Sequence, residues 1–187
     1  MPRNQWPRRK RSTKPDPAAP EDGQGGETGL DDDGAPPGGG RAGSSPRKIA
    51  LDILARREHS VAELREKLQS RDFPADEIEQ TLAALIADGL LSEARFIDSF
   101  LASYTRRGHG PLWLRAELER RGIDASRISA ALAAQEVDWP TEARAVREKR
   151  FGSEQPADYK DRARQSRFLQ YRGFSSEQIR QAFTTDD

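Results

Sequence analysis

At 187 residues the chain could hold one or two ordinary domains, and its composition, 34% hydrophobic and 33% charged, is polar for a globular protein. The absence of cysteine excludes disulfides and thiolate metal sites, and no apolar run approaches the ~18–20 residues that span a bilayer. The basic N-terminus lacks the apolar h-region of a secretory signal, so we expect a soluble cytoplasmic protein with no membrane partner.

The net charge of zero conceals an uneven distribution in the first 45 residues. Residues 1–14 carry six basic groups and no acid, whereas residues 16–33 carry seven acids and no base. Residues 1–45 also hold seven of the 12 prolines and nine of the 15 glycines, so too little apolar surface is present to offset chain entropy. We therefore predict a disordered tail, which either solubilises the protein or contacts nucleic acid or an acidic surface through its basic start.

The first ordered unit is predicted to begin near Ser45-Pro46 and to contain three helices. The first helix ends near Arg57-Glu58, and Ser60-Val61-Ala62-Glu63 is a capping box that opens the second. The third helix follows Phe73-Pro74 and ends at Gly89. The apolar positions at helical spacing are Ile49, Ile53 and Leu54; Leu64 and Leu68; and Ile78, Leu82, Leu85 and Ile86, with Leu90 and Leu91 packing the exit.

The pattern then restarts in a second unit. Ser92 caps its first helix, which ends at Arg106-Arg107-Gly108. Pro111 suits the first turn of the next helix, Gly122 ends that helix, and Asp124 caps the third. The apolar positions are Phe96, Phe100 and Tyr104; Leu114 and Leu118, with Ile123 as a plug; and Ile128 and Leu132.

A third unit is predicted from Asp138-Trp139-Pro140 onwards. Its first helix ends at Gly152, and a longer polar loop leads to a helix near 158–172. Ser175-Ser176-Glu177-Gln178 is a second capping box, placed before the last helix. The apolar positions are Ala143, Val146 and Phe151; Phe174; and Ile179 and Phe183.

The three units match one another at offsets of 50 and 51 residues, which indicates a repeat array. No stretch alternates with period two, so no sheet is expected. We predict an all-α fold of three tandem three-helix repeats, 46–92, 93–137 and 138–187, that form an elongated curved array. The equivalent sets are Leu68, Leu118 and Leu169; Arg71, Arg121 and Arg172; Asp72, Gly122 and Gly173; Phe73, Ile123 and Phe174; Ile78, Ile128 and Ile179; and Leu82, Leu132 and Phe183.

Three spaced motifs cover about 46–184. They are Arg106-Arg107-Gly108-His109-Gly110-Pro111 with Leu114, Leu118, Arg121, Gly122 and Ile123; Arg56-Arg57-Glu58-His59-Ser60 with Glu63, Leu64 and Leu68, followed by Leu90-Leu91-Ser92 with Arg95 and Phe96; and Arg164 with Phe168, Leu169, Arg172, Gly173 and Phe174. This combination resembles the RecX family of recombination regulators. Two features depart from the family pattern: the tail, and Gln165, which stands where the other repeats have Leu64 and Leu114.

The resemblance implies a regulator of the RecA recombinase rather than an enzyme. Members of the family are tandem three-helix repeats that lie in the groove of the RecA–DNA filament. They block filament extension and lower ATPase, strand-exchange and coprotease activity. We expect a monomer whose partner is that filament, with weak contact to single- or double-stranded DNA as a secondary expectation.

Cations at the ends of repeats are the candidate partner-binding residues. They could form a periodic basic stripe against an acidic protein surface or DNA, or they could only complement helix dipoles as solvated charges. The candidates are Arg56, Arg57, Arg106, Arg107, Arg115, Arg120, Arg121, Lys149, Arg150 and Arg172.

No catalytic, cofactor or metal site is predicted. His59 and His109 occupy one repeat position, and a cap or turn role explains them better than a metal pair without other ligands. Trp113 and Trp139 are predicted to pack between repeats, although Trp113 could instead be an exposed partner anchor.

Two other functions stay open at this stage. Tandem helix-turn-helix modules would bind DNA directly through the third helix of each unit, but Asp76, Glu77 and Glu79 would then face phosphates. A generic helical scaffold would leave RecA ATPase activity unchanged.

Overall fold

A computed structural model describes residues 45–184, which all belong to one unit of the chain, Pro36–Asp187. Within that range every regular element is an α-helix and no strand occurs, which confirms the all-α prediction. No helix of this part of the chain has the length and hydropathy of a membrane span. The predicted tail, except for Ser45, lies outside the described residues. The helices are α1 Pro46–Leu54, α2 Val61–Gln69, α3 Ala75–Ala87, α4 Glu93–Arg106, α5 Pro111–Arg120, α6 Ala125–Ala134, α7 Trp139–Phe151, α8 Tyr159–Tyr171 and α9 Ser176–Ala182.

Side-chain caps start most of these helices. The Ser60 hydroxyl accepts a hydrogen bond from the Glu63 N–H, and the Glu63 carboxylate accepts one from the Ser60 N–H. Ser175 and Gln178 form the same reciprocal pair before α9. Both predicted capping boxes are therefore confirmed, and each cap of this type stabilises a helix by about 1 kcal/mol. Single side-chain caps come from Ser45, Ser92, Asp124, Asp138 and Asp158.

Helix packing is organised in three groups, α1–α3, α4–α6 and α7–α9, and each group falls within one predicted repeat. One apolar position recurs at the centre of every group, because Leu68, Leu118 and Leu169 are all 0% exposed. The equivalent isoleucines of α3, α6 and α9 are buried beside them. The described residues thus form three small cores in tandem, as the repeat pattern predicts.

The turn after the second helix of each repeat needs left-handed backbone. The φ angles are +58° at Asp72, +79° at Gly122 and +87° at Gly173, a region that L side chains rarely adopt. The N–H of Ile123 then bonds the carbonyl of Leu118 at 3.1 Å, and Phe174 and Leu169 repeat this bond at 3.1 Å in the third unit. These bonds satisfy the last carbonyls of α5 and α8 and fold the apolar plug back onto each core.

Two details of the first repeat differ from the prediction. Ile86 is 49% exposed and Leu90 is 42% exposed, whereas Leu85 and Leu91 are buried. Ile86 follows Leu85 directly and so lies about 100° around α3 from it, on the side away from α1 and α2. The first helix also ends at Leu54, earlier than the predicted Arg57-Glu58.

The third repeat buries polar groups where the other repeats bury apolar ones. Gln165 is 3% exposed and donates a hydrogen bond from Nε2 to Asp161 Oδ2 at 3.0 Å. Arg147 is 1% exposed, donates to the Glu154 carbonyl at 3.1 Å, and lies 5.5 Å from the centre of the Phe183 ring. The departure at Gln165 is therefore part of a partly polar core rather than a surface feature.

Candidate partner-binding surface

The ten cations predicted to contact a partner differ widely in exposure. The exposed ones are Arg56, Arg106, Arg107, Arg120, Lys149 and Arg150; the half-buried ones are Arg57, Arg115 and Arg172; and Arg121 is buried. Their environments follow from how successive repeats touch, because several of them lie at those contacts.

Repeats one and two meet at what we call the first junction, where the turn between α5 and α6 contacts the start of α2. Ser60 Oγ donates a hydrogen bond to the Arg121 carbonyl at 2.9 Å. The approach is close, because a Cβ atom placed on Gly122 would lie 2.9 Å from Ala62 Cβ. The glycine that ends α5 therefore also permits contact between repeats.

Repeats two and three meet in the same way at the second junction, where the turn between α8 and α9 contacts the start of α5. The Gly110 N–H donates to the Arg172 carbonyl at 2.7 Å, and the Leu112 N–H donates to the Gly173 carbonyl at 3.0 Å. A Cβ atom on Gly173 would lie 2.3 Å from Trp113 Cβ. The residues of the recurring sequence motif therefore serve, in large part, to make this contact between repeats.

The first junction is held by a compensated cluster of charges around Glu63. Its carboxylate pairs with Arg121, with Arg57 Nη1 at 3.2 Å, and with His59 Nδ1 at 3.2 Å. Burial alone would raise the pKa of Glu63, but His59, Arg57 and Arg121 outweigh burial and lower the pKa to about 2. Arg121 also pairs with Glu117 Oε1 at 3.0 Å. The carboxylate is therefore charged, and it neutralises the cations around it.

Arg121 consequently differs from the role expected of it. It is 4% exposed and pairs with carboxylates from two repeats, so its guanidinium is withdrawn from any partner surface. Arg57 is also turned inward, with 15% of its side chain exposed. Both residues stabilise the first junction, and we assign neither a direct partner contact. Removing one member of a buried ion pair leaves an uncompensated charge, which is the costly case.

The second junction has an aromatic cluster in place of the carboxylate. Trp113 occupies the position equivalent to Glu63, and its ring centre lies 3.8 Å from that of His109 and 4.9 Å from that of Tyr104. The Phe100 ring is nearly parallel to the Trp113 ring, and their centres lie 6.3 Å apart. Trp113 therefore packs at a contact between repeats, as predicted, while Trp139 packs on the core of its own repeat.

Arginines lie beside this aromatic cluster. Arg172 Nη1 donates to the Arg107 carbonyl at 3.4 Å, which brings the end of α8 beside the end of α4. Burial lowers the pKa of His109, and the charges of Arg172 and Arg107 lower it further, to about 4. Within residues 45–184, no carboxylate forms an ion pair with Arg106, Arg107 or Arg172. We call these three residues the basic cluster.

A third element approaches the basic cluster. A Cβ atom on Gly108, the residue after Arg107, would lie 2.8 Å from Val146 Cγ2 on α7. Lys149 is exposed one helical turn after Val146. The end of α4 and the helix α7, which are far apart in sequence, therefore approach one another at Gly108 and Val146.

The remaining candidates lie apart from this cluster or are already paired. Arg120 pairs with Glu117 at 2.6 Å, and Arg115 donates to Ser129 Oγ at 3.1 Å. Arg56 occupies the position in the first junction that Arg106 occupies in the second. The even basic stripe suggested by the sequence is thus replaced by an uneven arrangement, with compensated charge at one junction and uncompensated charge at the other.

Three residues of these junctions had no contact between repeats predicted for them from the sequence. Glu63 was named in the capping box and in the family motif, but its pairing with Arg121 joins positions 58 residues apart. Leu112 and Tyr171 are 54% and 70% exposed at the second junction. A comparison of the repeats points to Leu112 and Tyr171, because the equivalent residues at the first junction are Ala62 and Arg120.

Family models match all three repeats. Residues 47–85 match the first RecX three-helix domain, residues 92–132 the second and residues 141–183 the third. The matched segments correspond to the three helix groups of the structure.

Curated relatives match over most of their own length. The chain is 45% identical over 133 residues to "Regulatory protein RecX" of Pseudomonas entomophila, covering 71% of this chain and 86% of the relative. It is 44% identical over 148 residues to the protein of the same name from Halorhodospira halophila, covering 79% and 92%. The relatives are thus named as regulatory proteins rather than as enzymes.

Solved structures share the fold. A crystal structure of RecX from Lactobacillus salivarius aligns with a TM-score of 0.63 at 22% identity, covering 73% of this chain and 91% of that one. A second structure, of a regulatory protein RecX, aligns with a TM-score of 0.61 at 21% identity.

Proposed function

This chain belongs to the RecX family of regulatory proteins, and we propose that it binds the filament formed by the RecA recombinase on DNA and restrains it. On this proposal the protein blocks filament extension and so lowers ATPase, strand-exchange and coprotease activity. The family match over all three repeats supports the proposal. Tandem repeats suit the role, because a quasi-one-dimensional array can follow a polymer across more than one subunit.

We propose that the second junction is the main contact with the filament. The observation that carries this choice is the uncompensated charge of the basic cluster, in contrast to the ion pairs of the first junction. Arg107 and Arg172 lie over the rings of Tyr104 and Phe168, at 5.0 and 5.5 Å, and their charges lower the pKa of the neighbouring His109. A complementary negative surface would be attracted to these charges and would speed encounter.

Direct sequence-specific DNA binding through the third helices has less support. The face that α3 would present carries the exposed acids Asp76, Glu77 and Glu79, and Glu79 is bound by Arg65 at 2.6 Å. On α6, Arg127 already pairs with Glu93. Among these residues, neither α3 nor α6 therefore has a cation left to bind a phosphate.

The test is the ATPase rate of RecA on single-stranded DNA as this protein is titrated. We expect inhibition by the wild-type chain, and a clear rise in the concentration needed when Arg106 and Arg107 are both changed to Gln. The matched control changes Arg47 and Arg180, which are exposed and paired with Asp88 and Glu177, to Gln. An unaltered ATPase rate with wild-type protein would contradict the proposed function and favour a generic scaffold. If the two double variants had equal effects on inhibition, the basic cluster would not be part of the contact with the filament.

A further inference from the structure

We propose that the outer surface of the first repeat is a self-association site, through which two copies of this chain pack their α3 helices antiparallel. We call this surface the α3 face, and it belongs to the first repeat, whereas the basic cluster lies where the second and third repeats meet. A monomer was expected from the sequence, and the dimer replaces that expectation because the exposure of this face is visible only in the structure. The α3 face consists of the exposed residues Leu51 of α1, Ala83, Ala84, Ile86 and Ala87 of α3, and Leu90 just after α3.

Large aliphatic side chains are concentrated on the α3 face. Among residues 45–184 four of them are exposed, and three of the four lie here: Leu51 at 36%, Leu90 at 42% and Ile86 at 49%. Arg47 of α1 pairs with Asp88 at 2.8 Å, and Leu51 follows Arg47 by one helical turn, so Leu51 lies on the side of α1 that meets α3. Contiguous exposed apolar surface is typical of a contact with another protein.

The repeat unit does not require this face. α3 has 13 residues, whereas the third helices of the other repeats, α6 and α9, have 10 and 7. At an offset of 50 residues the position of Ile86 is taken by Glu136, an exposed residue beyond the end of α6. The core of the first repeat already contains Ile78, Leu82 and Leu85 from α3. The longer α3 and its exposed isoleucine therefore serve something other than the folding of the repeat.

The distribution of charge along α3 favours a second copy as the occupant. Asp76 and Glu77 are exposed in the first turn of α3. At its other end Arg47 and Lys48 of α1 lie beside the single acid Asp88. An antiparallel pair brings the acidic start of each α3 to the cationic end of the other, whereas a parallel pair would bring like charges together. A two-fold axis makes both contacts at once, because an isologous interface uses the same patch on both copies.

Side-chain size also suits packing of α3 against itself. The alanines at 83, 84 and 87 allow two helix backbones to approach closely, and Ile86 of each copy then packs among the alanines of the other. The contact spans about two turns of each helix, which is less than the ~800 Å² per partner of a standard interface. We therefore expect a weak dimer that dissociates on dilution. Each dimer would carry two basic clusters, so its contact with a repeating polymer would be bivalent.

The first experiment is sedimentation velocity of the full chain from ~1 μM to ~1 mM, a range that covers the Kd values of weak complexes. We expect the average mass to rise with concentration from that of a monomer towards that of a dimer. Ile86→Glu places a charge in the apolar contact and should raise the Kd of the dimer at least about tenfold. Tyr159→Glu is the matched control, because it adds the same charge at a side chain that is 87% exposed on α8, and it should associate as the wild type does.

The second experiment tests the antiparallel arrangement by charge reversal. Asp76→Lys and Lys48→Glu each bring like charges together in the proposed dimer, so each should raise the Kd about three- to tenfold. The variant that combines both changes has the net charge of the wild type and restores opposite charges, so it should recover most of the lost affinity. Circular dichroism and thermal unfolding show whether each variant is folded.

Three results would overturn the inference. One is a wild-type chain that stays monomeric at the highest concentration, and another is equal weakening by Ile86→Glu and Tyr159→Glu, which would place the contact elsewhere. The third is a combined variant that associates no better than the single charge reversals, which would exclude an antiparallel pair of α3 helices. None of these results bears on the proposed function, which the ATPase titration tests separately.

Discussion

Glu63 and Trp113 occupy the same position in successive repeats, and the two junctions differ because of what each side chain can do there. Glu63 binds Arg121 across the first junction and is held ionised, with a pKa of about 2. Trp113 stacks against His109 at 3.8 Å, and Arg172 pairs with no carboxylate among residues 45–184. Repeats of the same architecture are thus joined by ion pairs at the first junction and by backbone and ring contacts at the second.

The ionic junction predicts a stability cost for Glu63→Gln. The change removes the carboxylate that Arg57, His59 and Arg121 share at a largely buried site, and leaves Arg121 paired with Glu117 alone, so we expect about 2–4 kcal/mol less free energy of unfolding. Urea unfolding of the full chain measures this value. Glu79→Gln is the matched control, because Glu79 pairs with Arg65 on the surface and should cost less than about 1 kcal/mol. Equal costs for the two variants would show that the buried cluster does not stabilise the junction.

The lowered pKa of His109 predicts that the stability of the protein depends on pH between pH 6.5 and 4. Its pKa is about 4 in the folded chain and near 6.5 when unfolded, so in this window the unfolded chain binds a proton that the folded chain does not. The free energy of unfolding should therefore fall as pH falls from 6.5 to 4, by roughly 1–2 kcal/mol after allowance for solvent screening.

His109→Phe should remove that part of the pH dependence, since a phenyl ring can still pack against Tyr104 and Trp113. Urea unfolding at several pH values measures the slope. Glu63→Gln serves as the contrast, because a carboxylate with lowered pKa contributes stability above pH 4.5 that is lost as pH falls towards 2. If His109→Phe kept the full slope between pH 6.5 and 4, another group would be responsible for it.

The close approach at the second junction predicts that Gly173→Ala is strongly destabilising. The new Cβ would lie 2.3 Å from Trp113 Cβ, and the backbone has a φ of +87°. Gly89→Ala is the matched control, because Gly89 has a φ of +69° and no atom within 4 Å of a new Cβ. We expect about 1 kcal/mol of backbone strain for Gly89→Ala and at least twice that for Gly173→Ala, measured by thermal unfolding. Trp113 fluorescence should also shift only in the Gly173 variant, and equal behaviour of the two would contradict the junction geometry.

The polar core of the third repeat predicts that Gln165→Leu is tolerated. Gln165 is 3% exposed, and its Oε1 has no hydrogen-bond partner within the described residues. Restoring the leucine of the other repeats should leave stability unchanged or raise it by about 1 kcal/mol, because an unsatisfied buried acceptor is removed. The reciprocal change Leu114→Gln, at the equivalent 0% exposed position, should cost more than about 2 kcal/mol. A large loss of stability in Gln165→Leu would mean that the hydrogen bond to Asp161 contributes more to stability than the unsatisfied acceptor costs.

Much of the fold could be predicted from local pattern. Each capping box and each turn depends on residues within one helical turn, so the sequence shows it directly. The examples are the capping boxes at Ser60 and Ser175 and the turns at Gly122 and Gly173. The recurrence of Leu68 at an offset of 50 residues revealed the repeats, because each small core needs the same leucine. Ile86 was placed wrongly, since helical spacing cannot show how wide the covered face of α3 is.

The sequence by itself therefore determined the helices, the repeat unit and the family, since all of these depend on short-range patterns or on their recurrence. Only the tertiary structure decided which arginines pair with a carboxylate. Arg121 and Arg172 stand at equivalent positions in the sequence. Arg121 is buried against Glu63, whereas Arg172 lies beside Arg107 and over the Phe168 ring and pairs with no carboxylate of residues 45–184. The physical reason is that charge compensation acts through space: the partner that decides whether a cation stabilises the fold or faces a ligand lies a whole repeat away along the chain.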